Sequence, residues 1–127
     1  MRAVDTSAWV EVLKGSSRCV PRLVREMPQP GDWVIPTIVQ LELAKWIARE
    51  KGGSTAEAVL SFATKCRVVD LNTRIAIDAA GFCIRYNLAT ADAIVYATAR
   101  ACDADLLTCD ARFKDLPHVV YVPKTSA

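Results

Sequence analysis

Arg2-Ala3-Val4-Asp5-Thr6-Ser7-Ala8-Trp9-Val10-Glu11-Val12-Leu13-Lys14-Gly15 contains the change of period that decides the fold. Arg2 to Asp5 reads as a short strand. From about Thr6 to Lys14 the apolar residues fall at helical spacing, with Thr6 or Ser7 as the expected N-cap and Gly15 just past the end. The alternation continues down the chain. A short helix is expected around Val20–Met27, ending at Pro28, then a second strand at Asp32-Trp33-Val34-Ile35. Pro36-Thr37 opens a long helix to about Lys51, stopped by Gly52-Gly53. Ser54-Thr55-Ala56-Glu57 has the form of a capping box for a fourth helix ending near Lys65.

Arg67-Val68-Val69-Asp70 is the third strand. Asn72 is placed to cap a helix to about Tyr86, and Thr90 to cap another over Ala91–Cys102. Leu106-Leu107-Thr108 reads as the fourth strand, Ala111–Lys114 as a short turn or helix, and Val119–Val122 as a fifth, edge strand. Strands alternating with helices imply an α/β fold with a mostly parallel sheet covered on both faces. In such sheets ligands bind beyond the carboxyl ends of the strands.

The chain has 127 residues, 52% of them hydrophobic and 24% charged, which suits one folded domain over residues 1–127. No apolar run approaches the roughly 18 residues of a membrane span, and no basic-then-apolar leader opens the chain. A soluble, cytoplasmic protein with no membrane partner is expected. Five cysteines (Cys19, Cys66, Cys83, Cys102, Cys109) show neither a C-x-x-C pair nor zinc spacing, so free thiols in a reducing compartment are expected. The single histidine, His118, follows Pro117 in an expected loop, which leaves Ser-His-Asp and Cys-His chemistry without a well-placed base. The net charge of +2 is spread evenly, without a basic block. Any case for nucleic acid therefore rests on the acids.

Four acids stand out. Asp5 closes the first strand and Asp110 lies just after the fourth, so both project at the carboxyl edge of the sheet. Glu42 sits about two turns into the helix that leaves the second strand. It shares a face with Ile38 and Trp46, while a surface ion pair with Lys45 or Arg49 is the alternative. Asp92 lies in the first turn of a helix that is apolar nearly all round. It either complements the helix dipole there or needs a buried partner. Asp5 could serve only to start a helix, and Asp110 only to cap the turn after it. Gathered together, the four would repel: two unit charges ~4 Å apart cost about 4 kcal/mol at an effective dielectric near 20. A divalent cation removes that cost, and oxygen donors without His or Cys select Mg²⁺ or Mn²⁺ over zinc. Such an ion activates water and neutralises charge on a phosphodiester. Asp78 is expected to pair with Arg74, and Asp32, Asp103 and Asp105 to be solvated.

The sequence resembles the PIN-domain ribonucleases of the VapC toxin family over nearly its whole length. The resemblance rests on Val4-Asp5-Thr6-Ser7, on Glu42 in Gln40-Leu41-Glu42-Leu43, on Ala91-Asp92-Ala93 within Thr90–Ala99, and on Leu107-Thr108-Cys109-Asp110 followed by Phe113. It implies a three-layer α/β/α fold with a mainly parallel, roughly five-stranded sheet. It also implies a Mg²⁺-dependent endoribonuclease (Mn²⁺ substituting) that acts as the toxin of a toxin–antitoxin pair. Asp5 and Asp92 would be metal ligands, Glu42 and Asp110 would complete the acidic pocket, and Thr108 or Thr6 would support it by hydrogen bonding. RNA would be the substrate, a small antitoxin the partner, and a homodimer the assembly.

Many relatives carry another acid two residues after the fourth carboxylate, where this chain has Arg112, either a phosphate contact or a solvated turn residue. Trp9 and Trp46 belong either to the core or to an antitoxin groove. Rival readings are a PIN-like module that binds RNA or a partner without cutting, and a metal-dependent nuclease or small phosphatase with another substrate. A nucleotide-binding domain is set aside because neither G-x-G-x-x-G nor G-x-x-x-x-G-K-[ST] occurs.

Overall fold

The computed structural model describes residues 1–126. Its elements are β1 (Arg2–Val4), α1 (Thr6–Lys14), α2 (Val20–Glu26), β2 (Trp33–Pro36), α3 (Thr37–Glu50), α4 (Gly53–Ala63), β3 (Arg67–Val69), α5 (Thr73–Tyr86), α6 (Thr90–Ala101), β4 (Asp105–Thr108) and β5 (Val119–Tyr121), with 3-10 turns at Pro30–Asp32 and Ala111–Phe113. The strands form one sheet in the order β3-β2-β1-β4-β5. Every pairing is parallel, with Ala3 opposite both Val34 and Leu106, and Val4 opposite Leu107.

β1 is central and the chain winds outward from it twice. It passes first to β2 and β3 on one side, then returns to β4 and β5 on the other. Right-handed crossovers then place the helices between β1 and β3 on one face and α5–α6 on the other, giving three layers. Two aromatic clusters mark these faces. Trp9, Trp33 and Phe62 join α1, β2 and α4, with centroids 4.8–5.9 Å apart. Phe82, Tyr86 and Tyr96 join α5 to α6. Trp9 is thus a core residue, 7% exposed, while Trp46 packs at the edge of the core and is only partly buried.

The element order matches the sequence reading, but several caps do not. The α1 N-cap is Asp5, not Thr6 or Ser7, and its carbonyl accepts the N–H groups of Ala8 and Trp9. Its carboxylate takes no part in that cap because it is engaged elsewhere. Ser54 lies inside the first turn of α4, so the expected capping box does not form. Gly52, at φ 107°, occupies the N-cap position and also returns its N–H to the Ile47 carbonyl at the end of α3. A positive φ suits glycine, so one residue ends one helix and starts the next. Ala89, not Thr90, precedes α6. β2 runs one residue later than expected, because Asp32 closes the turn begun by Pro30. Two caps do form as read. Gly15 adopts φ 74°, and the Asn72 side chain accepts the Ile75 N–H at 2.9 Å.

The five cysteines are free thiols. Cys109, although next to Asp110, is buried, and burial pushes its thiol up to about 12, which removes it as a nucleophile at neutral pH. Arg74 pairs with Asp78 at 3.6 Å as expected. Glu11, which the sequence did not single out, is 4% exposed; its carboxylate accepts from Ser17 Oγ at 2.8 Å and faces Lys14 Nζ at 3.5 Å. No helix among the described residues is long and apolar enough to cross a membrane.

Candidate active site

The winding reverses between β1 and β4, and the carboxyl ends of these neighbouring strands therefore flank the crevice of a doubly wound sheet. Asp5 leaves β1 there, and Thr108-Cys109-Asp110 leaves β4 beside it. α3 departs from β2 at the same edge, so Glu42, its sixth residue, lies about 8 Å along the axis from the helix start. α6 must return to the amino end of β4, so it runs antiparallel to the strands and begins at the carboxyl edge. Asp92, its third residue, is held there with the positive end of the helix dipole.

Asp5 is 5% exposed. Two hydroxyl groups point their protons at its Oδ2: Ser7 Oγ at 2.7 Å and Thr108 Oγ1 at 2.9 Å. Each hydroxyl is itself fixed by a backbone donor. The Cys109 N–H donates to Ser7 Oγ at 3.0 Å, and the Asp110 N–H donates to Thr108 Oγ1 at 2.9 Å. The segment after β4 is thereby stitched to the segment after β1, with the Asp5 carboxylate as the knot. Burial raises the Asp5 carboxyl from its ordinary 3.8 to about 6; the two hydroxyl donors pull it back only in part, and the charges of Asp92 and Asp110 push it further up.

Glu42 is half-buried, and its Oε1 accepts the Thr6 hydroxyl at 2.7 Å. The ion pair considered for it is not formed among the described residues; Arg49 pairs with Glu50 instead, at 3.2 Å. Asp92 is pushed above the usual carboxylate range by burial, with Arg112 opposing and the charges of Asp110 and Glu42 adding. Its Oδ2 is buried and has no hydrogen-bond partner. Asp110 is partly buried, which raises its carboxyl. The bonds from the Arg112 side chain and backbone outweigh this, and the carboxyl lies below its ordinary value.

The four acids picked from sequence therefore share one electrostatic neighbourhood, and Thr6 and Thr108 both bond to members of it. Ser7 was read only as a possible helix cap. Its position two residues after a strand-ending acid was the available signal. Arg112 is the exposed turn residue that one of the readings expected, and its side chain also does something neither reading named. Its guanidinium lies 2.8 Å from Asp110 Oδ2 and 3.6 Å from Asp92 Oδ2, so it bridges two of the acids. No group of three His, Cys, Asp or Glu side chains among the described residues is drawn together closely enough to hold a metal ion. The donor set is nonetheless the one a hard divalent cation requires: carboxylate oxygens, one of them buried without a donor, and neither His nor Cys among them. The residues fit such an ion.

A central β1 in a parallel sheet, with acids at its carboxyl edge beside β4, defines the class, and the PIN domain sequence profile matches residues 2–119. The chain belongs to the PIN domain family. By fold it is similar to a toxin–antitoxin complex from Klebsiella pneumoniae (20% identity, TM-score 0.79, 94% of this chain and 96% of that one covered). It is likewise similar to VapC20 of Mycobacterium tuberculosis, a sarcin–ricin loop cleaving toxin (21%, 0.76, 97% and 99%), and to FitAB bound to a DNA fragment (17%, 0.77, 100% and 97%). No curated protein matches it significantly in sequence.

Proposed function

We propose that this PIN domain is a toxin nuclease that hydrolyses RNA phosphodiester bonds with Mg²⁺ or Mn²⁺, and that a small antitoxin neutralises it. The observation that carries the reading is the crowding of Asp5, Asp92, Asp110 and Glu42 at one sheet edge, with Asp92 Oδ2 buried and without a donor. Acids packed at such a cost need a cation. Asp5 and Asp92 would hold it, with Glu42 and Asp110 completing the pocket. Bound there, a divalent ion supplies activation of water and charge neutralisation on the phosphate.

The protein's own groups fix the geometry. Ser7 and Thr108 saturate Asp5 Oδ2, so the carboxylate cannot rotate and Oδ1 is the oxygen left for a ligand. Thr6 orients Glu42 in the same way. No histidine stands among these groups and the Cys109 thiol stays protonated, so an acid–base pair for attack by a ribose 2′-hydroxyl would have to come from the same carboxylates that are assigned to the ion. The toxin–antitoxin complexes among the structural neighbours support an antitoxin partner. A homodimer in the cytoplasm completes the proposal; the apolar side chains Ile77 and Ile84, exposed on α5, support self-association.

The test is to incubate the purified protein with a short RNA and the matching DNA, in Mg²⁺ and in EDTA, beside Asp5→Asn. The expected result is metal-dependent cleavage of the RNA, leaving 5′-phosphate and 3′-hydroxyl ends by mass spectrometry. A 2′,3′-cyclic phosphate, or cutting undiminished in EDTA, refutes the mechanism. Cleavage of the DNA alone would move the activity to another nucleic acid.

A further inference from the structure

Arg112 is the one basic side chain that touches two of the four acids among the described residues. Its guanidinium grips Asp110 along one edge, with Nη2 2.8 Å from Oδ2 and Nε 3.2 Å from both oxygens. Its backbone N–H donates to Asp110 Oδ1 at 2.9 Å. Its other terminal nitrogen, Nη1, is 3.6 Å from Asp92 Oδ2, the buried oxygen that no hydrogen bond reaches. One cation thus serves two acids that arrive on different elements, Asp110 after β4 and Asp92 on α6.

The base of the residue is anchored in the fold, and its tip is held only by these exposed ion pairs. The turn Ala111–Phe113 is anchored by Phe113, which is fully buried. The Arg112 side chain is 67% exposed. An exposed ion pair of this kind is weak and readily exchanged. The guanidinium carries one charge spread over a plane, whereas a divalent cation is compact, carries two, and needs the same carboxylate oxygens at about 2.0–2.1 Å. Both cannot hold Asp110 Oδ2 and Asp92 Oδ2 together.

We propose that Arg112 is the built-in counter-cation of this acidic pocket, which a divalent ion must displace, so that Arg112 sets the ion concentration at which the site fills. The inference rests on the metal reading above and adds its regulation. It explains how Asp92 and Asp110 can stay together without an ion, since one guanidinium faces both.

The experiment is calorimetric titration of Mn²⁺ into the metal-free full chain, using wild type, Arg112→Ala, Arg112→Lys and Asp5→Asn, with melting curves in EDTA and at saturating Mn²⁺. Arg112→Ala should bind Mn²⁺ about three- to tenfold more tightly than wild type, the range set by releasing one or two exposed ion pairs. Arg112→Lys, which cannot span both acids, should fall between them. In EDTA, Arg112→Ala should melt below wild type, and saturating Mn²⁺ should close the gap. A purely structural arginine would leave the gap open and the affinity unchanged, and that result overturns the proposal. So does weaker binding in Arg112→Ala, which would make Arg112 a support of the metal. If wild type binds, Asp5→Asn does not, and Arg112→Ala binds as wild type does, the counter-cation role fails and the metal reading stands. No binding by any form overturns both.

Discussion

Replacing Asp5 with Asn keeps the shape of the side chain and removes a charge that the fold tolerates badly. The amide oxygen can take the place of Oδ2 and accept from Ser7 and Thr108, since both recorded bonds fall on that atom. What changes is the titration. In the folded protein the Asp5 carboxyl is raised to about 6, whereas in the unfolded chain it returns to about 3.8. Between these values the folded state binds more protons than the unfolded one, so stability is fully present below pH ~4 and is lost as pH rises through ~6. The displacement amounts to about 3 kcal/mol at 1.36 kcal/mol per pH unit. The new amide N–H₂ needs a partner, which offsets about 1 kcal/mol of the gain.

With metal removed by EDTA, Asp5→Asn should therefore be about 1 kcal/mol less stable than wild type near pH 4, where Asp5 of the folded protein is protonated and only the amide cost remains. It should exceed wild type by about 2 kcal/mol near pH 7.5, equivalent to roughly 8 °C in melting temperature for a domain of this size. Chemical denaturation of both proteins across that pH range measures the difference directly. A gap that does not change with pH, or a mutant less stable at pH 7.5, would refute the claim that burial of a charged Asp5 strains the metal-free fold.

The companion predictions concern the same pocket. Millimolar Mg²⁺ or Mn²⁺ should raise the melting temperature of the native protein, by about 2.7 kcal/mol of stability at a hundredfold excess over Kd, and much less that of Asp5→Asn; equal shifts would place the ion elsewhere. Because a ligand ion must displace the Asp5 proton, Mn²⁺ affinity should be flat above pH ~7 and fall up to about tenfold per pH unit below ~6; calorimetry that finds no such break would detach Asp5 from the ion. Thr108→Val removes a donor to Asp5 and the acceptor of the Asp110 N–H, so it should cost about 1–3 kcal/mol and lower cleavage; an unchanged melting curve would mean the stitch between β1 and β4 adds nothing. Asp92→Asn should abolish cleavage yet leave the EDTA-treated protein at least as stable as wild type, and a large loss in its melt would recast Asp92 as a structural cap.

The sequence by itself determined the order of elements, the parallel sheet and the carboxyl-edge placement of Asp5 and Asp110, because strand and helix periods and strand ends are local signals. Asn72 and Gly15 were legible for the same reason: a cap is formed by groups three or four residues apart. The caps that failed did so where a local rival won, as Gly52 did over Ser54 through a backbone angle that only glycine takes easily. What the tertiary structure alone decided is which distant groups meet. Ser7 and Thr108 converge on Asp5 across 103 and fewer residues of chain, Thr6 finds Glu42 on another helix, and Arg112 lies between Asp110 and Asp92. These contacts depend on how the β1–β4 crevice closes and how α3 and α6 are aimed at it. Periodicity along one segment carries no information about the distance to another, so the acids could be named from the chain but their partners could not.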